Sequence, residues 1–310
     1  MSVNGLLTAL PPEEELRTNI MHTSLTVWKN ELLEKDIDAW LSNFVGDVHT
    51  VDEEKRLALL LLRHFTYYNE EEVKQLCTTL YKDLVHLIVS KIDPSNEEAG
   101  VKIERFFKDS NIVPPEKISG SGGYIAYYFR RLNNLPMKVF NFSIDNVPRD
   151  IKNIIVIDDV TLSAGKKGQM YKFWKDAKRK YPDKKFFLLV LISSDKSYKY
   201  LTNLGVEVIS AITLDGRDKC FSKKSQIFSP FSGKFVAEAK KFAEHYGKKI
   251  GVTDPLGYNN SEFNFGFYYN TPDNTLPIFW GQINDWHPIV KRYHKNYSES
   301  TFNTKHERFI

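Results

Sequence analysis

The chain has 310 residues, a length that suits one large domain or two of medium size. Hydrophobic residues make up 42% and charged residues 26%, which is typical of a globular protein and excludes a wholly disordered chain. The net charge of +4 is too small to indicate nucleic-acid binding by itself.

Cysteine usage and apolar runs bear on the cellular compartment. Cys77 and Cys220 are far apart and lack metal-ligand spacing, which favours two reduced thiols over a lone disulfide. The N-terminal segment has no basic stretch followed by a long apolar run, so we expect no signal peptide. Apolar runs such as residues 57–62 are far too short to cross a bilayer. A cytoplasmic protein without a membrane partner is therefore predicted.

The first 95 residues are predicted to form a helical N-terminal region. Pro11 and Pro12 followed by three glutamates indicate a helix start, because acids are favoured at the positive end of a helix dipole. Residues 51–68 and 70–91 both carry apolar side chains at helical spacing. The segment from Asp93 to Asn96 interrupts this spacing and predicts a boundary.

After residue 96 the pattern changes to alternating strands and helices. Helices are predicted over residues 101–108, 124–132, 168–181, 198–204 and 233–246, and strands over 117–119, 138–142, 153–157, 185–192, 206–212 and 263–269. This alternation predicts an α/β domain over residues 96–290, with a mainly parallel sheet and flanking helices. Residues 291–310 are predicted to form a basic and aromatic C-terminal tail.

An acid pair follows the most apolar of these strands. Residues 154–157 are all branched and apolar, as in a strand buried on both faces, and Asp158 and Asp159 come next. Ligands of open α/β sheets bind beyond the carboxyl ends of strands. Paired carboxylates there can accept hydrogen bonds from ribose hydroxyls or hold Mg²⁺.

The residues after the acid pair suit a phosphate. Loop N–H groups, hydroxyls and the start of the next helix can bind one, and the segment consists of Thr161, Leu162, Ser163, Ala164 and Gly165. Together with the acids, these residues predict a 5-phosphoribosyl site in which Asp158 and Asp159 are the catalytic and metal-binding candidates. The alternative is an Asp pair that only caps the next helix.

A glycine-rich segment precedes the acid pair by one predicted strand and helix. It consists of Ser119, Gly120, Ser121, Gly122 and Gly123. Glycines let backbone N–H groups approach a pyrophosphate closely, so the segment is a second candidate for substrate binding. A flexible hairpin or linker remains the alternative.

The acid-pair segment resembles the ribose-5-phosphate loop of type I phosphoribosyltransferases. In that family two acids are followed by a turn rich in hydroxyls and glycine, and the pyrophosphate loop stands where residues 119–123 stand here. The resemblance implies a phosphoribosyltransferase-like fold. Ala164 departs from the pattern, since many members have glycine there and alanine does not favour a positive φ.

A second resemblance covers more of the chain. Residues 64–70 (HFTYYNE), the acid pair and residues 270–280 (NTPDNTLPIFW) resemble phosphoribosyltransferase-like proteins of bacterial conflict systems. Some of these are encoded beside retron reverse transcriptases and are described as ribosyltransferase effectors. The resemblance implies a toxic effector in anti-phage defence, with a reverse transcriptase and its RNA–DNA product as partners.

Two functions remain open. The favoured one is a glycosyltransferase that acts at C1′ of a 5-phosphoribosyl compound or nucleotide, by phosphoribosyl transfer or N-glycosidic bond cleavage. It would use Mg²⁺ if pyrophosphate leaves, and no organic cofactor is predicted. The alternative is a non-catalytic nucleotide-binding or scaffold module on the same fold.

Basic residues outside the site have two interpretations. Lys172, Lys175 and Arg179 share one outward face of a predicted helix, and Lys291 to Lys295 lie in the tail among aromatic residues. Such residues are either a solvated surface or contacts to nucleic-acid phosphates.

Overall fold

The computed structural model describes residues 10–115, 120–163, 169–229, 231–282 and 285–293. The α-helices are α1 (Glu13–Thr26), α2 (Glu34–Leu41), α3 (Val51–Arg63), α4 (Glu70–Leu87), α5 (Ala99–Lys108), α6 (Ser121–Leu132), α7 (Gln169–Lys180), α8 (Asp195–Asn203), α9 (Gly233–Ile250) and α10 (Pro277–Trp280). The strands are β1 (Thr66–Tyr68), β2 (Ser110–Val113), β3 (Asn153–Thr161), β4 (Lys185–Ser194), β5 (Glu207–Leu214) and β6 (Phe265–Phe267). No helix among these residues is long and apolar enough to cross a membrane.

The larger sheet has four parallel strands in the order β2-β3-β4-β5. Its central strands β3 and β4 contain runs of valine, isoleucine, leucine and phenylalanine that are buried on both faces. Helices α4, α5 and α6 cover the face that carries Ile155 and Ile157, while α7 and α8 cover the face that carries Ile154 and Val156. The predicted α/β class, with a parallel sheet and flanking helices, is confirmed.

A second, two-stranded sheet pairs β1 with β6 in parallel, with Thr66 opposite Phe265 and Tyr68 opposite Phe267. The prediction of one continuous helix over residues 51–68 was therefore wrong. Helix α3 ends at Arg63, and the β-branched and aromatic residues that follow suit a strand. A new helix then begins after Asn69, whose side chain accepts from the N–H of Glu72.

The N-terminal helices share a core with the end of the chain. Apolar residues of α1, α2 and α3 pack with α9 and with residues 276–290 in one cluster. The indole N–H of Trp40 donates to the carbonyl of Ile278 at 2.7 Å, and its ring stacks on Phe279 at 5.6 Å. Helix α4 packs on the four-stranded sheet instead. The proposed boundaries near residues 95 and 290 remain predictions.

One predicted strand was wrong, and β2, like β1, was missed. Residues Met137–Val139 form a 3₁₀ turn after Pro136, and Phe140 makes only an isolated bridge to Ile112. The sheet edge is formed instead by β2, a short segment whose four residues are all buried. The predicted strand at residues 117–119 lies outside the described residues.

Candidate functional site

The acid pair lies inside β3. The strand was predicted to end at Ile157 but runs to Thr161, and its register pairs Asp158 with Val190 and Val160 with Ile192 of β4. The two carboxylates therefore stand near the carboxyl end of a central strand, which is where open α/β sheets bind ligands. Their surroundings differ, because Asp158 is half-buried while Asp159 is only 7% exposed.

Asp159 contacts three parts of the chain. The N–H of Val160 donates to it at 2.8 Å and the hydroxyl of Tyr269 at 3.4 Å, and its carboxylate also contacts Ser121 and the side chain of Asp158. Burial raises the pKa of Asp159, and the contacts with Ser121 and the side chain of Asp158 act to lower it. The buried acid thus joins β3 to the start of α6 and to the segment after β6.

The glycine-rich segment is part of helix α6. Gly120 precedes the helix, and Ser121, Gly122 and Gly123 form its first turn, so the helix begins three residues before the predicted start. A Cβ atom at Gly122 would lie 2.9 Å from the carbonyl oxygen of Ile157 and 3.3 Å from Oδ1 of Asp158.

Gly122 thus allows α6 to approach β3 closely. The positive end of α6 lies directly against the acid pair. Ser119 lies outside the described residues. The substrate-binding role assigned to Gly120, Ser121, Gly122 and Gly123 remains a prediction.

The phosphate segment is described only in part. Thr161 and Leu162 are buried and Ser163 is half-buried, whereas Ala164 and Gly165 lie outside the described residues. The side chain of Leu162 belongs to the core, and its carbonyl accepts from the hydroxyl of Ser194 at 2.9 Å.

Thr161 and Ser163 border a small pocket, which is also lined by Tyr171, Ser197 and Tyr200. The contact of Thr161 and Ser163 with a phosphate remains a prediction.

Tyrosines form a wall beside the acid pair that the sequence interpretation missed. Tyr124 and Tyr128 come from α6, and Tyr268 and Tyr269 follow β6. The hydroxyls of Tyr124 and Tyr268 are hydrogen-bonded, and each lies 3.2 Å from that of Tyr128, which donates to Glu70 at 2.9 Å.

Burial raises the pKa of Tyr128 to about 12, so this hydroxyl stays protonated at neutral pH. The i, i+4 spacing of Tyr124 and Tyr128 was the available sequence signal for this wall.

Arg292 fixes the chain after this wall. Its guanidinium donates to the carbonyl of Thr271 at 2.5 Å, lies 3.4 Å from a carboxylate oxygen of Asp273 and covers the ring of Trp280 at 4.8 Å. Burial lowers the pKa of Arg292, and the charges of Asp273 and Asp159 act in the opposite direction. The tail is thus packed on the protein as far as Tyr293, whose N–H donates to Asn270 at 3.0 Å. Residues 294–310 lie outside the described part.

The basic face of α7 points outward. Lys172, Lys175 and Arg179 are all exposed, and Arg179 pairs with Asp176 at 3.0 Å. The face is therefore accessible, which both interpretations of it require.

Metal binding rests on the acid pair. Across the described residues, no group of three or more histidine, cysteine, aspartate or glutamate side chains could hold an ion. Mg²⁺ is usually held by one or two carboxylates together with substrate phosphates and water. The acid pair fits such an ion only in company with ligand oxygens.

Comparison with protein families identifies the fold. The PRTase-CE family matches residues 37–292, which include the acid pair, the start of α6, the tyrosine wall and Arg292. The chain belongs to this phosphoribosyltransferase-like family. No curated protein matched the sequence.

Similar solved structures include a xanthine-guanine-hypoxanthine phosphoribosyltransferase from Helicobacter pylori, with 13% identity, 48% of this chain and 84% of that chain covered, and a TM-score of 0.30. An orotate phosphoribosyltransferase from Aeropyrum pernix has 18% identity, coverages of 43% and 70%, and a TM-score of 0.26. A hypothetical protein from Neisseria gonorrhoeae with bound ppGpp has 15% identity, coverages of 49% and 85%, and a TM-score of 0.32.

Proposed function

We propose that the protein binds a 5-phosphoribosyl compound at the carboxyl end of β3 and acts at its C1′, by phosphoribosyl transfer or by cleavage of an N-glycosidic bond. The observation that carries this proposal is the close approach of α6 to the acid pair at Gly122. The acid pair and the positive end of α6 then lie together near the carboxyl end of β3. Membership of a phosphoribosyltransferase-like family supports the same site.

The residues divide the ligand between them in this proposal. The acid pair faces the ribose, the hydroxyls of Thr161 and Ser163 donate to the 5-phosphate, and the first turn of α6 faces the leaving group. Fixed donors aimed at a departing anion stabilise it without reorganisation, which is how such sites lower a barrier. Mg²⁺ would be held between Asp158 and oxygens of the ligand and would neutralise a leaving pyrophosphate.

The surroundings of Asp159 favour a second candidate, a nucleotide-binding module without turnover. Asp159 is only 7% exposed and accepts hydrogen bonds from the N–H of Val160 and the hydroxyl of Tyr269, which suits a structural acid as well as a catalytic one. Incubation with nucleotides and with 5-phosphoribosyl diphosphate, followed by chromatography, separates the two. Release of free base or pyrophosphate supports the enzyme, whereas tight binding without products supports the module.

The ligand site is tested with Asp158→Asn. We expect affinity for 5-phosphoribosyl diphosphate to fall by roughly 10- to 100-fold, because a hydrogen bond to a charged group contributes about 1.5–3 kcal/mol. The matched control is Asp183→Asn. Asp183 is an exposed acid just before β4, at the amino end of the parallel strands and therefore opposite to the acid pair. Calorimetric titration of both variants decides the matter, and equal affinities in the two proteins contradict the site.

We infer a biological role from the resemblance to conflict-system proteins. In this role the protein is a toxic effector in anti-phage defence, and a retron reverse transcriptase with its RNA–DNA product keeps it inactive. The exposed lysines of α7 support a contact with that polyanion, because lysines that neutralise phosphates release counterions. Affinity for an RNA–DNA hybrid should then fall steeply as salt rises.

The contact is tested by reversing two charges on α7. The Lys172→Glu, Lys175→Glu double variant should bind an RNA–DNA hybrid at least tenfold more weakly and with a shallower salt dependence. The Lys82→Glu, Lys108→Glu double variant has the same charge change on helices of the opposite face and should bind like the parent. Fluorescence anisotropy across a salt series measures both. Binding that ignores salt, or equal losses in the two variants, rules out this surface.

A further inference from the structure

We propose that the two acids have different roles: Asp158 contacts the sugar, whereas Asp159 is held by Ser121 and Tyr269 and orients Asp158. Ser121 and Tyr269 are then positioning residues that act through Asp159. This inference rests on the proposed phosphoribosyl site and deepens it, because adjacent acids in such a site would otherwise be expected to contact the ribose together.

The hydrogen bonds of Asp159 carry the first step. An ionised carboxylate offers about four acceptor positions. The N–H of Val160 and the hydroxyl of Tyr269 already use two of them, and Ser121 and the side chain of Asp158 also contact the carboxylate. With only 7% of its surface exposed, Asp159 has little capacity left for two ribose hydroxyls. Asp158 is half-buried and more accessible to a ligand.

The second step is the link between the two acids. The N–H of Asp159 donates to Oδ1 of Asp158 at 3.0 Å. Contacts that fix the backbone and side chain of Asp159 therefore also restrict the orientation of the Asp158 carboxylate. Oriented acceptors matter in such sites, because a misplacement of about 1 Å can cost 100-fold in rate.

The third step is the rigidity of Tyr269. Its ring stacks on Phe267 with centroids 5.2 Å apart and contacts Tyr124 at 4.8 Å. Phe267 and Asn270 exchange backbone hydrogen bonds across a tight turn, and Arg292 holds the carbonyl of Thr271 just beyond it.

These ring contacts and turn hydrogen bonds hold the hydroxyl of Tyr269 in place next to Asp159. Its bond of 3.4 Å is long for an O–H donor, and we expect it to shorten when a ligand closes the site.

The test is a double-mutant cycle on the affinity for 5-phosphoribosyl diphosphate. Tyr269→Phe removes only the hydroxyl and should weaken binding about tenfold when Asp159 is present, since one hydrogen bond is worth about that factor. In the Asp159→Ala protein the same change should have no effect, because Tyr269 then has no acceptor to hold. Equal losses in both proteins, or no loss in either, overturn its positioning role.

Matched variants complete the cycle. Ser121→Ala should weaken binding, and Ser121→Thr, which keeps the hydroxyl, should restore it. Asp158→Ala should cost more affinity than Asp159→Ala, and the reverse order overturns the division of roles. Tyr127→Phe is the control, because this exposed tyrosine of α6 contacts Arg131 on the surface and should bind like the parent.

The same cycle on urea unfolding separates two kinds of failure. Coupling between Tyr269 and Asp159 should appear in the unfolding free energies whether or not a ligand binds. A parent protein that binds no phosphoribosyl probe but keeps this coupling overturns the proposed function, and with it the sugar contact of Asp158. A parent that binds the probe without any coupling overturns the positioning role alone.

Discussion

At the scale of single residues, Gly122 controls how closely α6 approaches the acid pair. Any side chain there would collide with the carbonyl of Ile157 and with Pro115, both 2.9 Å from an added Cβ atom. The first is a backbone atom and the second belongs to a proline ring, so neither can move away by rotation of a side chain. Gly122→Ala must therefore push the helix away from β3.

We expect Gly122→Ala to lower the free energy of unfolding by roughly 1–3 kcal/mol, as overpacked core substitutions do. Gly100→Ala is the matched control: it is also the second residue of its helix, α5, but has no neighbour within 4 Å. That change should stabilise the protein by up to about 1 kcal/mol, because alanine is the better helix former. Urea denaturation measures both, and effects of the same sign contradict the packing role of Gly122.

The candidate site could be predicted from the sequence only as far as its local pattern extends. Asp158, Asp159 and the glycines were found because apolar runs, paired acids and glycine clusters are visible within a few residues. Tyr269 was missed because it lies 110 residues from Asp159 along the chain, and only the fold brings the two together. Tyr269 directly precedes the turn-rich segment Asn270–Pro277, but nothing in the sequence provided a physical reason to connect that segment with the acid pair.

At the scale of elements, long and strongly periodic segments were predicted well. Strands β3, β4 and β5 and helices α5, α7 and α9 appear close to the predicted positions, because each carries its own burial pattern. The short strands β1 and β2 were not found. Three or four residues have no period to detect, and their conformation depends on partners such as β6 and β3.

Two boundaries moved because tertiary contacts outweighed local preference. Glycines disfavour helix interiors, yet α6 begins at Ser121 because its first turn packs on β3. Strand β3 extends past the acid pair because β4 continues beside it, with Thr161 opposite Ser193. Aspartates are uncommon in strands, so the sequence alone favoured an earlier end.

At the scale of the whole molecule, the N-terminal helices and the chain's final described segments form one core. Trp40 is fully buried, stacks on Phe279 and donates to the carbonyl of Ile278, which also accepts from the indole of Trp286 at 3.1 Å. Such shared packing couples the stability of the two ends of the chain.

We expect Trp40→Ala to lower the free energy of unfolding by about 3–5 kcal/mol, as for other buried tryptophans. Circular dichroism and ligand binding should be lost in the same transition, because a shared core unfolds cooperatively. Leu25→Ala, at an exposed position of α1, should change stability by less than about 0.5 kcal/mol. Two separate transitions, with the sheet surviving the helices, would instead support a domain boundary near residue 95.

The link between Trp40 and Ile278 also sets the order of events during synthesis. The two residues are 238 positions apart, so at about 5–20 residues per second the ribosome needs on the order of 10–50 s to add the partner of Trp40. During that interval helices α1 to α3 expose the apolar face that later packs against the segment around Ile278. The strands of the four-stranded sheet, which lie between these two parts of the sequence, are synthesised meanwhile. The nascent chain therefore exposes this apolar face until the last segments of its core have been synthesised.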